Sequence, residues 1–339
     1  MGSLCPDHIA KRDETMSGRD PIGVAIWGSA SVALVAALAL RGRSQQAASF
    51  AETSRAFAGV AGVIAIGWVG VRFGVFDRFG SRVVPSTASR TLVGVALLAW
   101  VFVLAGLTNL DVAVVAATPL ALVVAADRGI DGALLALGVS QVANAGSILL
   151  PTANLTTLLV LGPTAGSDGS YLRQAWLAWL LVGVVTLVVV VPLATRVGHS
   201  PTPVHSDWSL WRIGLDLAGM FVLASSLRTL VAEGVGVGNG FWSAALRTSM
   251  LAAVVNNLPA AAAVHVTGPA ATWGAVAGLA IGPNLLLTGS VASVIVRRMA
   301  REGGAAMSAR TFTLVGLGLV PAQLAAASVG LRLTGALRG

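Results

Sequence analysis

The chain has 339 residues, of which 55% are apolar and 11% charged, and its mean hydropathy is +0.82. Soluble domains carry about 25% charged residues, so this composition excludes a water-soluble enzyme. At roughly 20 apolar residues per crossing, the length accommodates about eight or nine hydrophobic segments. The net charge of +8 comes from arginines between apolar runs, which indicates membrane topology rather than nucleic-acid binding. The sequence predicts an all-α polytopic membrane protein.

The N-terminal region combines a polar segment, residues 1–20, with an apolar run over residues 22–40. The run is longer than the apolar core of a signal peptide, and the polar segment contains acidic residues. We therefore expect a first membrane helix preceded by a cytoplasmic tail. A second apolar segment is expected at residues 58–76. The protein is predicted to be a multi-pass protein of the cell inner (plasma) membrane, with its N-terminus in the cytoplasm.

Two apolar stretches contain polar residues that favour turns. Residues 91–126 are interrupted by Thr-Asn-Leu-Asp at 108–111, and residues 241–266 by Asn-Asn-Leu-Pro at 256–259. Asn and Asp compete for backbone hydrogen bonds and are costly at membrane depth unless they face protein or water. Each stretch is therefore predicted to be a re-entrant helical hairpin. The positive-inside rule orients the first hairpin towards the cytoplasm and the second towards the outside.

An internal repeat accompanies the hairpins. Residues 138–160 align without gaps to residues 274–296, and each copy follows its own hairpin. Both copies carry Gly, Pro and small polar residues in mid-segment, which predicts broken membrane helices over 132–162 and 272–296. The glycines at 274, 278 and 282 predict close helix packing.

The chain is thus divided into two inverted halves. They cover residues 21–195 and 213–339, and a cytoplasmic linker at 196–212 joins them. Broken helices beside hairpin tips build midplane sites in secondary transporters, and half-helix N-termini suit an anionic or oxygen-rich solute. Catalytic motifs of the HExxH and GxSxG types are absent from the apolar segments, so no enzyme activity is expected. Cys5 is the only cysteine and lies in the tail, so neither a thiolate metal site nor a cofactor is expected.

Four segments of the sequence resemble the ion transporter superfamily, most closely its arsenite/antimonite efflux permease branch. They are residues 107–119, 143–155, 255–259 and 281–293. The resemblance implies alternating access around a site between the two hairpins and the two broken helices. It assigns that site, by position, to Asn109, Asp111, Asn256 and Asn257 at the hairpin tips and to Thr152, Asn154, Asn284, Thr288 and Ser290 at the breaks.

The predicted function is secondary active transport of an inorganic oxyanion or its neutral acid, with arsenite/antimonite efflux by an antiporter as the first candidate. Asp111 is the expected coupling group, and a capping hydrogen bond is its alternative role. The alternative function is a sodium-coupled symporter of dicarboxylates or citrate, since such carriers share the architecture. Protons and sodium both remain open as coupling ions, as do a homodimer and an ATPase subunit as partners.

Overall fold

A computed structural model describes residues 21–73, 88–161, 169–198, 210–231 and 234–338. The predicted tail at 1–20 and residues 199–209 of the predicted linker lie outside the described residues. Within the described ranges the chain forms thirteen α-helices, two short 3-10 helices and one pair of two-residue β-strands. Five of the helices are long and apolar enough to cross a membrane. The architecture is that of an all-α membrane protein.

The first half of the chain supplies four of these five helices. Its helices are α1 (Pro21–Arg41), α2 (Arg43–Arg72), α3 (Arg90–Leu107), α4 (Leu110–Arg128), α5 (Gly132–Gly146), α6 (Leu155–Leu161) and α7 (Ser170–Ala194). The candidate membrane spans among them are α1, α3, α4 and α7. A 3-10 helix at Pro151–Ala153 lies between α5 and α6.

The second half contains the fifth candidate span, α13, and several shorter helices. Its elements are α8 (Leu210–Leu230), β1 (Val235–Gly236), α9 (Phe241–Val255), α10 (Asn257–Ala263), β2 (Val264–His265), α11 (Pro269–Ile281), α12 (Val291–Glu302) and α13 (Ala309–Leu333). A 3-10 helix at Gly282–Leu285 lies between α11 and α12.

Helix α2 begins at Arg43, well before the apolar segment expected at 58–76. Its polar first turns pack against α8, where Gln46 Nε2 donates to Ser226 Oγ over 3.4 Å. The Phe50 ring lies 5.3 Å from that of Phe221 in the same contact. Hydropathy misses this part of the helix because hydrogen bonds and aromatic packing, rather than a continuous apolar run, hold it in place.

The helix pair α3–α4 starts and finishes at one end of the molecule. Arg90 Nε donates to the carbonyl oxygen of Arg128 over 2.8 Å, and Arg128 Nη1 donates to that of Ala88 over 3.0 Å. These bonds hold the start of α3 against the end of α4. The turn between the two helices therefore lies at the opposite end of the pair.

The helix pair α9–α10 has its two ends held together in a different way. Strand β1 lies just before α9 and pairs in parallel with β2, which directly follows α10, so that Val235 faces Val264. Arg247 on α9 reinforces the join by donating from Nη1 to the carbonyl of Gly236 over 3.3 Å. Here too the turn between the helices lies away from their joined ends.

Close packing of α11 against α9 confirms the prediction from the glycines at 274, 278 and 282. A Cβ added at any of the three would overlap backbone atoms of α9, at Phe241, Ala245 and Ser249 respectively. Elsewhere in the core, α4 packs on α12 and α10 on α6. In addition, α5 contacts α12 and α6 contacts α11.

Candidate functional site

Both predicted broken helices are interrupted in the structure. The first changes from α5 to α6 between Gly146 and Leu155, and the second from α11 to α12 between Ile281 and Val291. In the first, Asn154 Oδ1 accepts from the backbone N–H of Thr156 over 3.0 Å. In the second, Ser290 Oγ accepts from the N–H of Ser293 over 3.0 Å. Each residue thereby caps the helix that follows the interruption, as Asn and Ser commonly do.

The turn of α3–α4 is attached to the first interruption through Asn109. Its Oδ1 accepts from the N–H of Asp111 over 2.8 Å and so caps α4. Its Nδ2 donates to the carbonyl oxygen of Thr152 over 3.4 Å. Asn109 therefore holds the turn against the interruption, and Thr152 contributes its backbone while its side chain is exposed.

The turn of α9–α10 is attached to the second interruption by the same pair of contacts. Asn256 Oδ1 accepts from the N–H of Leu258 over 3.3 Å, and its Nδ2 donates to the carbonyl of Thr288 over 2.9 Å. Asn256 has φ +78°, the one positive value at a described non-glycine residue. A bond from the N–H of Asn257 to the carbonyl of Gly289, 2.8 Å long, strengthens the attachment.

A small cleft lies between the two turns and the two interruptions. The first residues of α4, α6, α10 and α12 line it, so the N-termini of these four helices meet there. Its lining residues are Leu110, Asp111, Asn154, Leu155, Thr156, Asn257, Leu258, Ser290, Val291 and Ala292. Four of the nine predicted site residues are among them: Asp111, Asn154, Asn257 and Ser290.

The cleft combines helix N-termini with polar side chains. The first N–H groups of a helix have no partner within the helix, and its N-terminus carries a partial positive charge. Ser290 Oγ accepts from the N–H of Ser293 and lies 2.8 Å from Ser293 Oγ. Among the described residues that line the cleft, Asp111 is the single acid and none is basic. The cleft can therefore donate to solute oxygens and offers one carboxyl group to a solute hydroxyl or a cation.

Asn284 is the one predicted site residue that neither lines the cleft nor takes part in attaching a hairpin turn. It lies in a buried group of side-chain amides. We call Gln141, Asn144, Asn284 and Gln323 the amide cluster; all are at most 1% exposed. Asn284 Nδ2 donates to the carbonyl of Gln141 and to Gln323 Oε1 over 3.2 and 3.3 Å. Its own Oδ1 accepts from Asn144 Nδ2 over 3.0 Å. Asn284 therefore connects α5 to α13.

Gln141, Asn144 and Gln323 were not among the predicted site residues. A signal was present, because Gln141 and Asn144 are three residues apart in an apolar helix and so share a face. Ser140 is adjacent, and its Oγ donates to Ser293 Oγ over 2.8 Å. Gln323 lies in an otherwise apolar stretch of α13, and only the fold brings it to Asn284.

A buried ion pair joins α8 to α12 outside both regions. Arg298 Nη2 lies 2.7 Å from Asp216 Oδ2, and the two side chains are 14% and 7% exposed. Asp216 therefore pairs with an arginine on a neighbouring helix. The pair anchors the C-terminal half of α12, whose first residues line the cleft.

No protein-family model matches the sequence, and no curated protein matches it.

Proposed function

We propose that the protein is a secondary active transporter of an inorganic oxyanion or its neutral acid, with arsenite/antimonite efflux as the specific activity. The observation that carries this proposal is the meeting of four helix N-termini around one buried carboxyl group. The resemblance of residues 107–119, 143–155, 255–259 and 281–293 to arsenite/antimonite permeases supplies the substrate class.

Two re-entrant hairpins of opposite orientation form the substrate site in this proposal. Joined ends of α3–α4 and of α9–α10 support the hairpin geometry, since each pair then enters and leaves at one face. Helix α10 has seven residues, roughly 10 Å of helix, which is far less than a bilayer crossing of about 30 Å. Both turns contact the interruption of a neighbouring helix.

An inverted repeat relates the two halves in the same proposal. Asn109 and Asn256 make equivalent bonds to the carbonyls of Thr152 and Thr288, a pair of identical residues in the aligned repeat. Asn154 and Ser290, a second aligned pair, both cap the helix after the interruption. Packing follows the same relation, because the second arm of each hairpin contacts the second part of the other broken helix.

The chemistry of the cleft favours an uncharged oxyacid over a dicarboxylate. A neutral acid such as arsenous acid has hydroxyl groups that both donate and accept hydrogen bonds. Helix N–H groups and Ser290 can donate to its oxygens, and Asp111 can accept from a hydroxyl. A dicarboxylate would place two negative charges beside Asp111 with no basic side chain among the described lining residues. Burying unpaired like charges is costly.

Alternating access then requires the hairpins to separate, one after the other, from the helix interruptions that they contact. Asn109 holds the first turn in place through one amide-to-carbonyl bond of 3.4 Å, and Asn256 and the N–H of Asn257 hold the second through bonds of 2.9 and 2.8 Å. Bonds of this kind contribute about 1 kcal/mol each, which is small enough to be broken and remade in a transport cycle. Asp111, the second residue of α4, moves with the first hairpin and couples the proton or cation to that movement.

Transport into proteoliposomes tests the proposal directly. Purified protein is reconstituted, and uptake of arsenite, antimonite and succinate is measured with imposed pH or sodium gradients. We expect arsenite or antimonite transport that a pH gradient or the membrane potential drives. Sodium-driven succinate uptake without arsenite transport would instead establish the alternative symporter, and absence of all transport by well-folded protein would contradict both.

A matched pair of variants locates the site in that assay. Asp111→Asn should reduce transport to the level of empty liposomes, because the carboxyl group in the cleft is lost. Asp127→Asn makes the same change on the same helix at an exposed position in its last turn, so its transport should equal that of the unmodified protein. Equal activity of both variants would exclude a coupling role for Asp111.

A further inference from the structure

Two carbonyl oxygens of the amide cluster are buried without a hydrogen-bond partner among the described residues. They are Gln141 Oε1 and Asn144 Oδ1, on residues that are 0% and 1% exposed. Native proteins leave few buried polar atoms unsatisfied, and an ion or a water molecule commonly accounts for those that remain. The two residues lie on one face of α5, three positions apart.

The orientation of the cluster begins at Thr186 on α7. Its hydroxyl donates to the carbonyl of Val182 over 2.6 Å, so its oxygen accepts from Gln323 Nε2 over 2.8 Å. The remaining oxygen of that amide, Gln323 Oε1, therefore faces Asn284 and accepts from Asn284 Nδ2 over 3.3 Å. These bonds leave one orientation for the amides of Gln323 and Asn284.

Asn284 in turn fixes the orientation of the side-chain amides of Gln141 and Asn144 on α5. Its Oδ1 accepts from Asn144 Nδ2 over 3.0 Å, and its backbone carbonyl accepts from Gln141 Nε2 over 3.1 Å. Rotating the side-chain amide of Gln141 or Asn144 by 180° would place its oxygen against the oxygen of Asn284 that now accepts from its nitrogen. The two amides therefore direct their nitrogens at Asn284, and their oxygens remain available for another ligand.

The surrounding helices favour a positive charge at this place. Gln141 and Asn144 lie in the last two turns of α5, which ends at Gly146, and Asn284 lies just beyond the end of α11 at Ile281. Helix C-termini carry a partial negative charge, and half-helix C-termini with nearby carbonyls hold cations in membrane transporters.

We propose that Gln141 Oε1 and Asn144 Oδ1 bind a monovalent cation, with sodium as the probe. The ligands of the amide cluster are neutral, and divalent cations in proteins take carboxylates that the cluster does not contain. Neutral carbonyl oxygens, in contrast, are sufficient to hold a monovalent cation inside a membrane. Binding of this cation is independent of the proposed function, whereas its use as the coupling ion depends on it.

Cation binding is tested on the purified full-length protein without any transport substrate. Thermal unfolding is followed at constant ionic strength while choline chloride is replaced by NaCl or KCl. We expect the unfolding midpoint to rise saturably with sodium, because a ligand that binds only the folded state stabilises it. An identical midpoint in choline, sodium and potassium would overturn the proposal and indicate an ordered water molecule instead.

Two buried glutamines provide the matched variants. Gln141→Met should weaken the apparent sodium affinity by about tenfold or more, which is a change of about 1.4 kcal/mol. Gln46→Met is the control. Gln46 is 2% exposed, and its Oε1 also has no hydrogen-bond partner among the described residues. Gln46 contacts α8, however, and does not belong to the amide cluster. The sodium affinity of this variant should stay within about twofold of that of the unmodified protein. An equal loss in both variants would contradict the assignment.

A second measurement keeps the proposal testable if Gln141→Met does not fold. Equilibrium dialysis of the unmodified protein with radioactive sodium should give a stoichiometry close to one ion per chain. A stoichiometry near zero would refute the cation site. Loss of solute transport with retained sodium binding would instead refute the proposed function alone.

Discussion

The cleft and the amide cluster arise from the same two helix interruptions but have opposite polarity. The cleft lies where four helices begin, so N–H groups and one carboxyl face it. The cluster lies at the C-terminal ends of α5 and α11, so carbonyl oxygens gather there. Breaking a helix exposes donors on one side and acceptors on the other. One structural device can therefore produce an oxyacid site and a cation site close together.

Helix α12 is the element that the two regions share. Ser290 and Val291 line the cleft, and Ser293 bonds to Asn144 of the cluster over 3.3 Å. The ion pair of Arg298 with Asp216 fixes the other part of this helix against α8. Loosening α12 should thus damage both regions together.

The largest effect is expected for Arg298→Met, which removes the arginine from the buried ion pair with Asp216. Removing one partner of a buried ion pair costs about 3–5 kcal/mol of folding free energy. Asp216→Asn in addition should restore most of that loss, because no uncompensated charge remains. Unfolding in detergent compares the single and double variants. A single variant as stable as the unmodified protein would show that the pair does not hold α12.

A smaller loss, specific to the cluster, is expected for Gly316→Ala on α13. The new Cβ would overlap the carbonyl oxygen of Asn284, which accepts from Gln141. Overpacking of this kind costs about 1–3 kcal/mol, and sodium-dependent stabilisation should disappear with it. Gly318→Ala is the control, since no atom lies within 4 Å of a Cβ at Gly318. Equal sodium responses in the two variants would separate Asn284 from the cation site.

Much of the fold could be predicted from the sequence, because apolar length and turn-forming residues act locally. Pro and Asn inside apolar stretches located the interruptions at 132–162 and 272–296. The predicted start of the second segment, residue 58, was wrong. The helix begins earlier because its polar first turns are stabilised by α8, which is distant in sequence. The predicted hairpin orientation and inverted repeat stay predictions, supported by the joined helix ends.

The candidate site was predictable only where polar residues stand at a helix start. Asp111, Asn154, Asn257 and Ser290 line the cleft because capping residues lie next to the N-termini that form it. Asn284 was assigned to the site by its position in the second interruption, yet its side chain lies in the amide cluster. Its partners come from α5 and α13, and no local pattern identifies such contacts.

The next largest difference is expected between the two hairpin turns. Asn256→Ala should cost about 2 kcal/mol, through loss of a capping and a docking bond and through the positive φ of 78° that alanine adopts reluctantly. Asn109→Ala should cost about 1 kcal/mol, since its φ of −162° suits any residue and its docking bond is longer. Thermal unfolding of both variants measures the difference. The reverse order would mean that the first hairpin is the more firmly attached.

The smallest effect, and the one that distinguishes the regions most sharply, is expected for single hydroxyl deletions on α12. Ser290→Ala should weaken binding of arsenite by about five- to tenfold, because a neutral hydrogen bond contributes about 1 kcal/mol. Ser293→Ala, one turn further on, should weaken arsenite binding less, by about twofold, because Ser293 does not line the cleft and reaches it only through its 2.8 Å contact with Ser290 Oγ. Isothermal titration with arsenite measures both. Similar losses in the two variants would mean that the cleft and the cluster act as one site.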